Sequence, residues 1–395
     1  MCCIKLPSLR VNRILLLVVG LWPYKQDKFV RLQLILFYVI MMSFVIFQFT
    51  TLLTLKRTSQ IIIEVLSTTF FFIACMIKYS SFCFNINAIK HLLDLLQHTY
   101  DELRDEGEVA IIEKYWNLAK RYTKVLLITA ICALSLGIFI SLLPLIFNIA
   151  LYTNTSQLYI SLFIVKEYLV DQENYIFLII LHTNVAGFML VIAMLATGTM
   201  TIMYLLHACG MFRVASYRVQ QAMTSINRET STKKNEKCVY VGIICAIDMH
   251  RKAIRFVTML MSVLNIYYFL LIAALVISAS LNLFRIFENV SSRLDIYELI
   301  IPFVFLFTLF IYMFVANKLS QQIIDHNNHV FTTVYNVEWH VASLRIQKLI
   351  LFLLQRGTKS YNIVVGGLFV ASLEGFAKLT SASISYFTVI YSVKK

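Results

Sequence analysis

Charge is what this sequence has least of. Asp, Glu, Lys and Arg make up only 14% of its 395 residues, against 59% hydrophobic residues and a mean hydropathy of +0.76. A soluble domain of this size needs a polar surface that such a composition cannot supply, so the soluble globular class is excluded. The chain also lacks any C-x-x-C pair. Its eight cysteines, at positions 2, 3, 75, 83, 132, 209, 238 and 245, fall mostly in apolar runs or in loops assigned below to the cytoplasm, which argues against a disulfide framework and a zinc site. There is no G-x-S-x-G, no H-E-x-x-H and no Walker-type loop, so neither an enzyme nor a cofactor is indicated. The net charge of +14 is scattered between apolar runs rather than gathered into a basic module, which sets nucleic acid aside. Asp325, His326 and His329 have helical spacing, but a single D-H-x-x-H reads better as a solvated face than as a metal site.

What is present is a series of long apolar runs, at 32–53, 61–83, 125–150, 176–206, 257–284, 299–316 and 361–391. Each is long enough to cross a hydrocarbon core of roughly 30 Å as a helix. The expected fold class is therefore all-α: a polytopic membrane protein with seven transmembrane helices. The first 31 residues hold Lys5, Arg10, Arg13, Lys25, Lys28 and Arg31 around the apolar patch Ile14 to Trp22. Trp22-Pro23 follows that patch where a signal peptide would need small residues, so an uncleaved segment lying on the membrane surface is expected. Residues 84–124 place Ile89, Leu92, Leu93 and Leu96 at helical spacing before an acidic run, predicting a membrane helix extended into water. The 207–256 loop is basic, with its flexible tip at 231–237.

Counting basic residues orients the spans. Residues 1–31 and the loops at 84–124, 207–256 and 317–360 hold 6, 6, 9 and 5 Lys plus Arg, against about seven on the other side. The positive-inside rule then puts the N-terminus in the cytoplasm and, after seven spans, the C-terminus outside. The two N-x-S/T sequons, at Asn154 and Asn289, both fall in loops that this arrangement places outside, as candidate glycosylation sites. The arrangement inverts that of a G-protein-coupled receptor.

The last run carries Glu374 and Lys378 near its middle. At about 100° per residue, Glu374, Lys378, Ser381, Ser385, Thr388 and Ser392 share an arc of about 80°. Two readings stay open: a polar helix–helix contact sealed by an i,i+4 ion pair, or a water-lined pathway, since ionisable groups at membrane depth usually face a cavity. A secondary transporter would also use such groups, but the paired halves with Gly/Pro-broken spans of that class are missing.

Several stretches carry a family resemblance: VVGLWP at 18–23, VDQENYIFLIILH at 170–182, HACGMFRVASYRVQQAM at 207–223, HRKAIRFVTML at 250–260, VYNVEWHVASLRIQKLILFLLQRGTKSYNI at 334–363, and the tail GLFVASLEGFAKLTSASISYFTVIYS. In that order and spacing the chain resembles an insect odorant receptor. The sister gustatory receptors end in T-Y-x-x-x-x-x-Q-F. The corresponding residues here, Ser385, Tyr386, Ser392 and Val393, keep only the tyrosine, which places the gustatory reading second.

The resemblance implies an odorant-binding subunit of a ligand-gated, non-selective cation channel, paired in a tetramer with a common coreceptor in the plasma membrane of olfactory sensory neurons. It implies four regions: a cytoplasmic segment 1–31, six membrane helices over 32–316, cytoplasmic anchor helices over 317–360, and a pore-lining seventh helix over 361–395. Within the anchor, the spacing of Val341, Leu344, Gln347, Lys348, Ile350, Leu351 and Leu354 supports an amphipathic helix over 336–356, with Trp339 at the subunit contact. Glu374 and Lys378 are carried as interface residues too. A volatile ligand would lie among the outer halves of the second, third, fourth and sixth spans, where Thr68, Phe70, Phe71, Ile138, Ser141, Phe147, Tyr175, His182, Met189 and Phe303 are the candidates, His182 being the polar group of first interest. Laid on the family's tail, Val389 and Val393 fall at the hydrophobic gate, with Ser385 and Ser392 beside them. Wound as a helix, these valines sit about 60° and 100° from Glu374, on the flank of the polar stripe.

Overall fold

The apolar runs become helices, except that the last opens with a hairpin, and the described parts of the polar stretches at 84–124, 207–256 and 317–360 are largely helical as well. The computed structural model describes residues 9–54, 59–103, 105–151, 172–228, 233–292, 296–359 and 361–394. Among them are ten α-helices: α1 (Arg10–Val18), α2 (Lys28–Thr54), α3 (Ser59–Phe84), α4 (Ile86–Asp101), α5 (Glu106–Leu151), α6 (Gln172–Arg228), α7 (Lys233–Ser292), α8 (Ile296–Asn336), α9 (Leu344–Gly357) and α10 (Leu373–Lys394). A two-stranded antiparallel hairpin, β1 (Val364–Val365) and β2 (Phe369–Val370), precedes α10. Helices α2, α3, α5, α6, α7 and α8 are long and apolar enough to cross a membrane. The seventh, α10, has 22 residues, or about 33 Å of helix.

The loop expected at 207–256 is helix up to Arg228 and again from Lys233, inside the expected tip at 231–237, while residues 229–232 lie outside the described ones. α6 and α7 have 57 and 60 residues, so each is about 85–90 Å long and overshoots the bilayer by far. Hydropathy reports the depth of lipid, whereas helix length is set by burial against neighbours. Beyond the apolar runs, Val219 and Met223 of α6 and Val239, Ile243, Ala246 and Met249 of α7 recur at helical spacing and are at most 5% exposed. Ile89, Leu92, Leu93 and Leu96 of α4 are all 0% exposed, as their spacing predicts. The acidic run after them is a break rather than a continuation. The Asp105 carboxylate accepts the Glu108 N–H at 2.7 Å, capping a new helix, α5.

The core is organised around α6, which packs against α1, α2, α3, α5, α7 and α8. Residues Met200 to Phe212 are buried on every side, the behaviour of a helix that is itself core. Small residues such as Ala193, Ala196, Thr197, Ala208 and Cys209 allow the close approach. The N-terminal segment folds onto this core. Leu16, Leu21 and Trp22 are 0%, 1% and 6% exposed, while Val11, Ile14 and Val18 keep an outward apolar face.

Two expectations near the C-terminus are corrected. The anchor helix does not start at 336: a 3-10 turn covers Trp339–Val341, and Ser343, with extended φ/ψ of −63° and 153°, breaks the path before α9. Its buried face is Ile346, Ile350 and Leu353, while Val341, Leu344 and Leu351 are 55%, 75% and 67% exposed. The helical period holds, and Val341, Leu344 and Leu351, expected at a contact between subunits, lie on the face that this chain itself leaves uncovered. Likewise 361–391 is not one helix. Gly366 and Gly367, at φ 62° and 72°, form the left-handed pair that a tight hairpin turn requires, and α10 begins only at Leu373. Glu374 therefore sits in the first turn of the helix, where a negative charge is favoured, and not at mid-span.

Candidate functional site

Aromatic side chains gather between α2, α3, α6 and α8. Phe44 stacks on Phe72 with ring centroids 4.1 Å apart, and Phe71 stacks on Phe305 at 4.4 Å. His182 of α6 enters between Phe44 and Phe47, with centroids at 6.1 and 5.7 Å, and its Nε2 lies 3.0 Å from Ser43 Oγ. Phe70 and Met189 are partly buried against the flanking core. Thr68 is buried, and its hydroxyl donates to the Glu64 carbonyl one turn back at 3.0 Å. The cluster thus presents aromatic and apolar surface with the Ser43–His182 contact as a polar point within it.

Other expected ligand residues do not join the cluster. Ile138 is 48% exposed on a stretch of α5 that the described helices leave uncovered, and the Ser141 hydroxyl on the same stretch donates to its own helix at Gly137, 2.8 Å away. Tyr175, at a kink with φ −111° and ψ 16°, is 54% exposed, and Phe303 is 61% exposed. The Phe147 side chain and Asn154 lie outside the described residues. Asn289 is only 9% exposed, in the closing turns of α7, a poor presentation for a glycan acceptor. The sequence reading passed over Ser43, Phe44, Phe47, Phe72 and Phe305. A S-F-x-x-F pattern at 43–47, placing a hydroxyl and two rings on one face of the first span, was the available signal.

One buried charge also escaped that reading. Lys78, in the membrane part of α3 and 1% exposed, donates to Tyr268 OH at 2.7 Å and Thr201 Oγ1 at 3.2 Å, and meets Tyr312. Its ammonium also stands 4.3 Å from the Tyr268 ring centroid. The junction joins α3, α6, α7 and α8. Because an ammonium in a dry interior depends on its acceptors, removing an acceptor costs more than removing the charge itself. Tyr268→Phe should therefore lower the thermal midpoint of the detergent-solubilised protein by more than Lys78→Met. The opposite order would show that the lysine is not held by the phenol. A second pair, Arg285 to Glu64 at 3.0 Å with Arg285 also on Ser67 Oγ at 3.2 Å, ties α7 to α3.

The two histidines of the D-H-x-x-H stretch are engaged elsewhere. His326 bonds Tyr115 OH and the Gln322 carbonyl, and His329 faces Arg213 at 2.7 Å, beside Thr333. Among the described residues no group of acidic, cysteine and histidine side chains converges as a metal site.

On α10, the face toward the rest of the chain runs through Gly375, Leu379 and Ser383, and continues at Phe387 and Tyr391, whose rings meet Phe287 at 5.7 and 5.0 Å. The opposite face carries the polar stripe. Glu374 and Lys378 pair at 2.7 Å with side chains 76% and 71% exposed, and Ser381, Ser385, Thr388 and Ser392 are exposed too. Val389 and Val393, 58% and 82% exposed, lie on that uncovered side. Trp339 is 36% exposed beside His340.

A bundle of helices long and apolar enough to cross a membrane, with an aromatic cluster between its spans and a last helix whose polar side is left open, defines a polytopic membrane protein. Residues 58–384 match the family model described as 7tm Odorant receptor, and the chain belongs to that family. Over 191 residues it is 25% identical to Odorant receptor 22c of Drosophila melanogaster, covering 47% of this chain and 46% of that protein. Over 153 residues it is 25% identical to Odorant receptor 10 of Aedes albopictus, covering 38% and 39%. The matched stretches thus span less than half the length of these relatives. The fold superposes with a TM-score of 0.77 on the insect olfactory receptor OR5 from Machilis hrabei in complex with eugenol, over 98% of this chain and 97% of that one, at 16% identity. A second structure of that receptor gives 0.72 at 15% identity over the same shares.

Proposed function

We propose that this chain is the odorant-binding subunit of a ligand-gated, non-selective cation channel, assembled with a common coreceptor in a tetramer whose pore is lined by α10. The observation that carries the reading is the two-sided character of α10. One seam packs on its own bundle, while a stripe of Glu374, Lys378, Ser381, Ser385, Thr388 and Ser392 is left exposed on a helix at membrane depth. Hydrocarbon is a poor solvent for that stripe, so neighbouring subunits or water must cover it. Volatile ligands would bind at the aromatic cluster around His182, Phe44, Phe71 and Phe72, losing apolar surface to the rings with few hydrogen bonds to fix a pose. The basic-residue count supports a cytoplasmic N-terminus and an outside C-terminus in the plasma membrane.

The test is coexpression in cells. The chain alone should pass little current, and with the coreceptor a panel of volatile phenols, esters and alcohols, eugenol among them, should evoke fast current that survives block of G-protein signalling. A C-terminal epitope should be labelled without permeabilisation. Loss of all current under that block, or a C-terminus reachable only in permeabilised cells, would overturn the reading.

A further inference from the structure

The segment from Tyr361 to Ser372 joins the anchor helix α9 to α10, and it is fastened to the bundle at several points. The Tyr361 hydroxyl meets Thr258 of α7. Asn265 Oδ1 accepts the Gly366 N–H at 2.7 Å, and the Phe269 ring lies so close that a Cβ on Gly366 would fall 2.3 Å from it. Thr258, Asn265 and Phe269 are seven and four residues apart, one face of α7. From α8, the buried Asn317 accepts the Ser372 N–H on Oδ1 at 3.1 Å while its Nδ2 donates to the Met313 carbonyl at 2.8 Å, which fixes the rotation of the amide.

The hairpin is in turn continuous with α10. Ser372 Oγ accepts the Gly375 N–H at 3.0 Å as an N-cap, and a Cβ on Gly375 would lie 2.3 Å from the Val370 carbonyl oxygen. Ala371 N–H closes the hairpin on the Ile363 carbonyl at 2.9 Å. Hairpin and first helical turn therefore form one stiff piece. We propose that Asn265 and Asn317 are positioning residues for gating: they bind this piece to α7 and α8, so that a shift of those helices carries the start of α10 with it. On the same turn of α7, Tyr268, between Asn265 and Phe269, holds Lys78 and reaches Thr201, and Lys78 lies about two helical turns along α3 from Phe71 of the aromatic cluster. This inference rests on the channel reading of α10.

The test uses the full chain with its coreceptor and compares Asn265→Leu, which removes the acceptor, with Asn265→Asp, which keeps an acceptor oxygen. Two quantities are read: amide hydrogen exchange over 363–372 in the purified complex, and maximal current per surface receptor evoked by the most effective volatile of the panel. Asn265→Leu should speed exchange and cut evoked current, each by about tenfold, the worth of one hydrogen bond at the upper end of its range. Binding of the same volatile should be unchanged, and Asn265→Asp should stay close to wild type in both. Asn317→Leu should behave like Asn265→Leu. Should the leucine variant fail to fold, Asn265→Ser, too short to reach Gly366, carries the same expectation. Wild-type exchange or wild-type current in Asn265→Leu, or an equal loss in Asn265→Asp, would overturn the proposal. A wild-type complex that passes no current counts against the channel reading, and the exchange measurement still decides whether the clamp exists.

Discussion

Arg218→Met is expected to remove most folded receptor from the cell surface, although the residue touches neither the aromatic cluster nor α10. Arg218 of α6 grips Glu108 of α5 with two parallel bonds, Nε to Oε1 at 2.6 Å and Nη2 to Oε2 at 2.8 Å, and reaches the Cys245 carbonyl of α7 at 3.2 Å. The two side chains are 11% and 3% exposed. Three long helices are joined at one point outside the bilayer, since Glu108 precedes the apolar run of α5 by roughly 25 Å of helix. Removing only the cation takes the two-bond guanidinium fork from a carboxylate that is 3% exposed, and breaking a buried pair from one side typically costs about 3–5 kcal/mol, against total stabilities of about 5–15 kcal/mol.

The charge argument has its own control. Removing both charges together leaves no buried carboxylate short of the Arg218 cation, so Glu108→Leu combined with Arg218→Met should restore part of the surface signal lost in the single variant. Surface biotinylation against total protein measures this. A single variant at wild-type level, or a double variant no better than the single one, would mean that the pair is not an energetic junction.

Much of this fold was legible in the sequence, for identifiable reasons. Apolar runs mark lipid depth because the bilayer is a solvent of fixed thickness, and the spacing of Ile89, Leu92, Leu93 and Leu96 marked α4 because a buried stripe must repeat with the helical period. What was hidden was partnership. Nothing local distinguishes Lys78 from a lysine at a loop edge until Thr201, Tyr268 and Tyr312, from three other helices, are brought to it. The hairpin at 364–370 was concealed because V-V-G-G-L-F-V is as apolar as a membrane helix, and only the double glycine signals a turn. The aromatic cluster was half legible. Phe70, Phe71 and His182 stand out in the sequence, but Phe44 and Phe47 lie on the first span, which has no part in the expected site, and Phe305 is two residues on from the expected Phe303.

On the channel reading proposed for α10, Val389→Ser should raise ligand-free current in cells that also express the coreceptor. On α10 the inward seam ends in Phe387 and Tyr391, both packed on Phe287, so Val389, two residues on from Phe387, is turned by about 200° to the opposite side. Its 58% exposure, together with the exposure of Ser385 and Ser392, places valine and polar stripe on one open face. If four such faces surround an axis, the polar residues wet most of the pore and Val389 is an apolar ring within it. A ring of that kind closes a channel by dewetting, and a hydroxyl in its place lowers the cost of a continuous water column. Ser385→Ala, in contrast, removes a hydroxyl from a stretch that stays wet and should change conductance little. Val393, 82% exposed near the end of the helix, lies farther round the flank and should respond less than Val389. Single cysteines through 385–393, exposed to a thiol reagent while the ligand is applied, test the face directly. Modification at 385, 389 and 392 with protection at 387 and 391 is the expected pattern; a reactive Phe387→Cys beside a silent Val389→Cys would turn the helix round and remove Val389 from the gate.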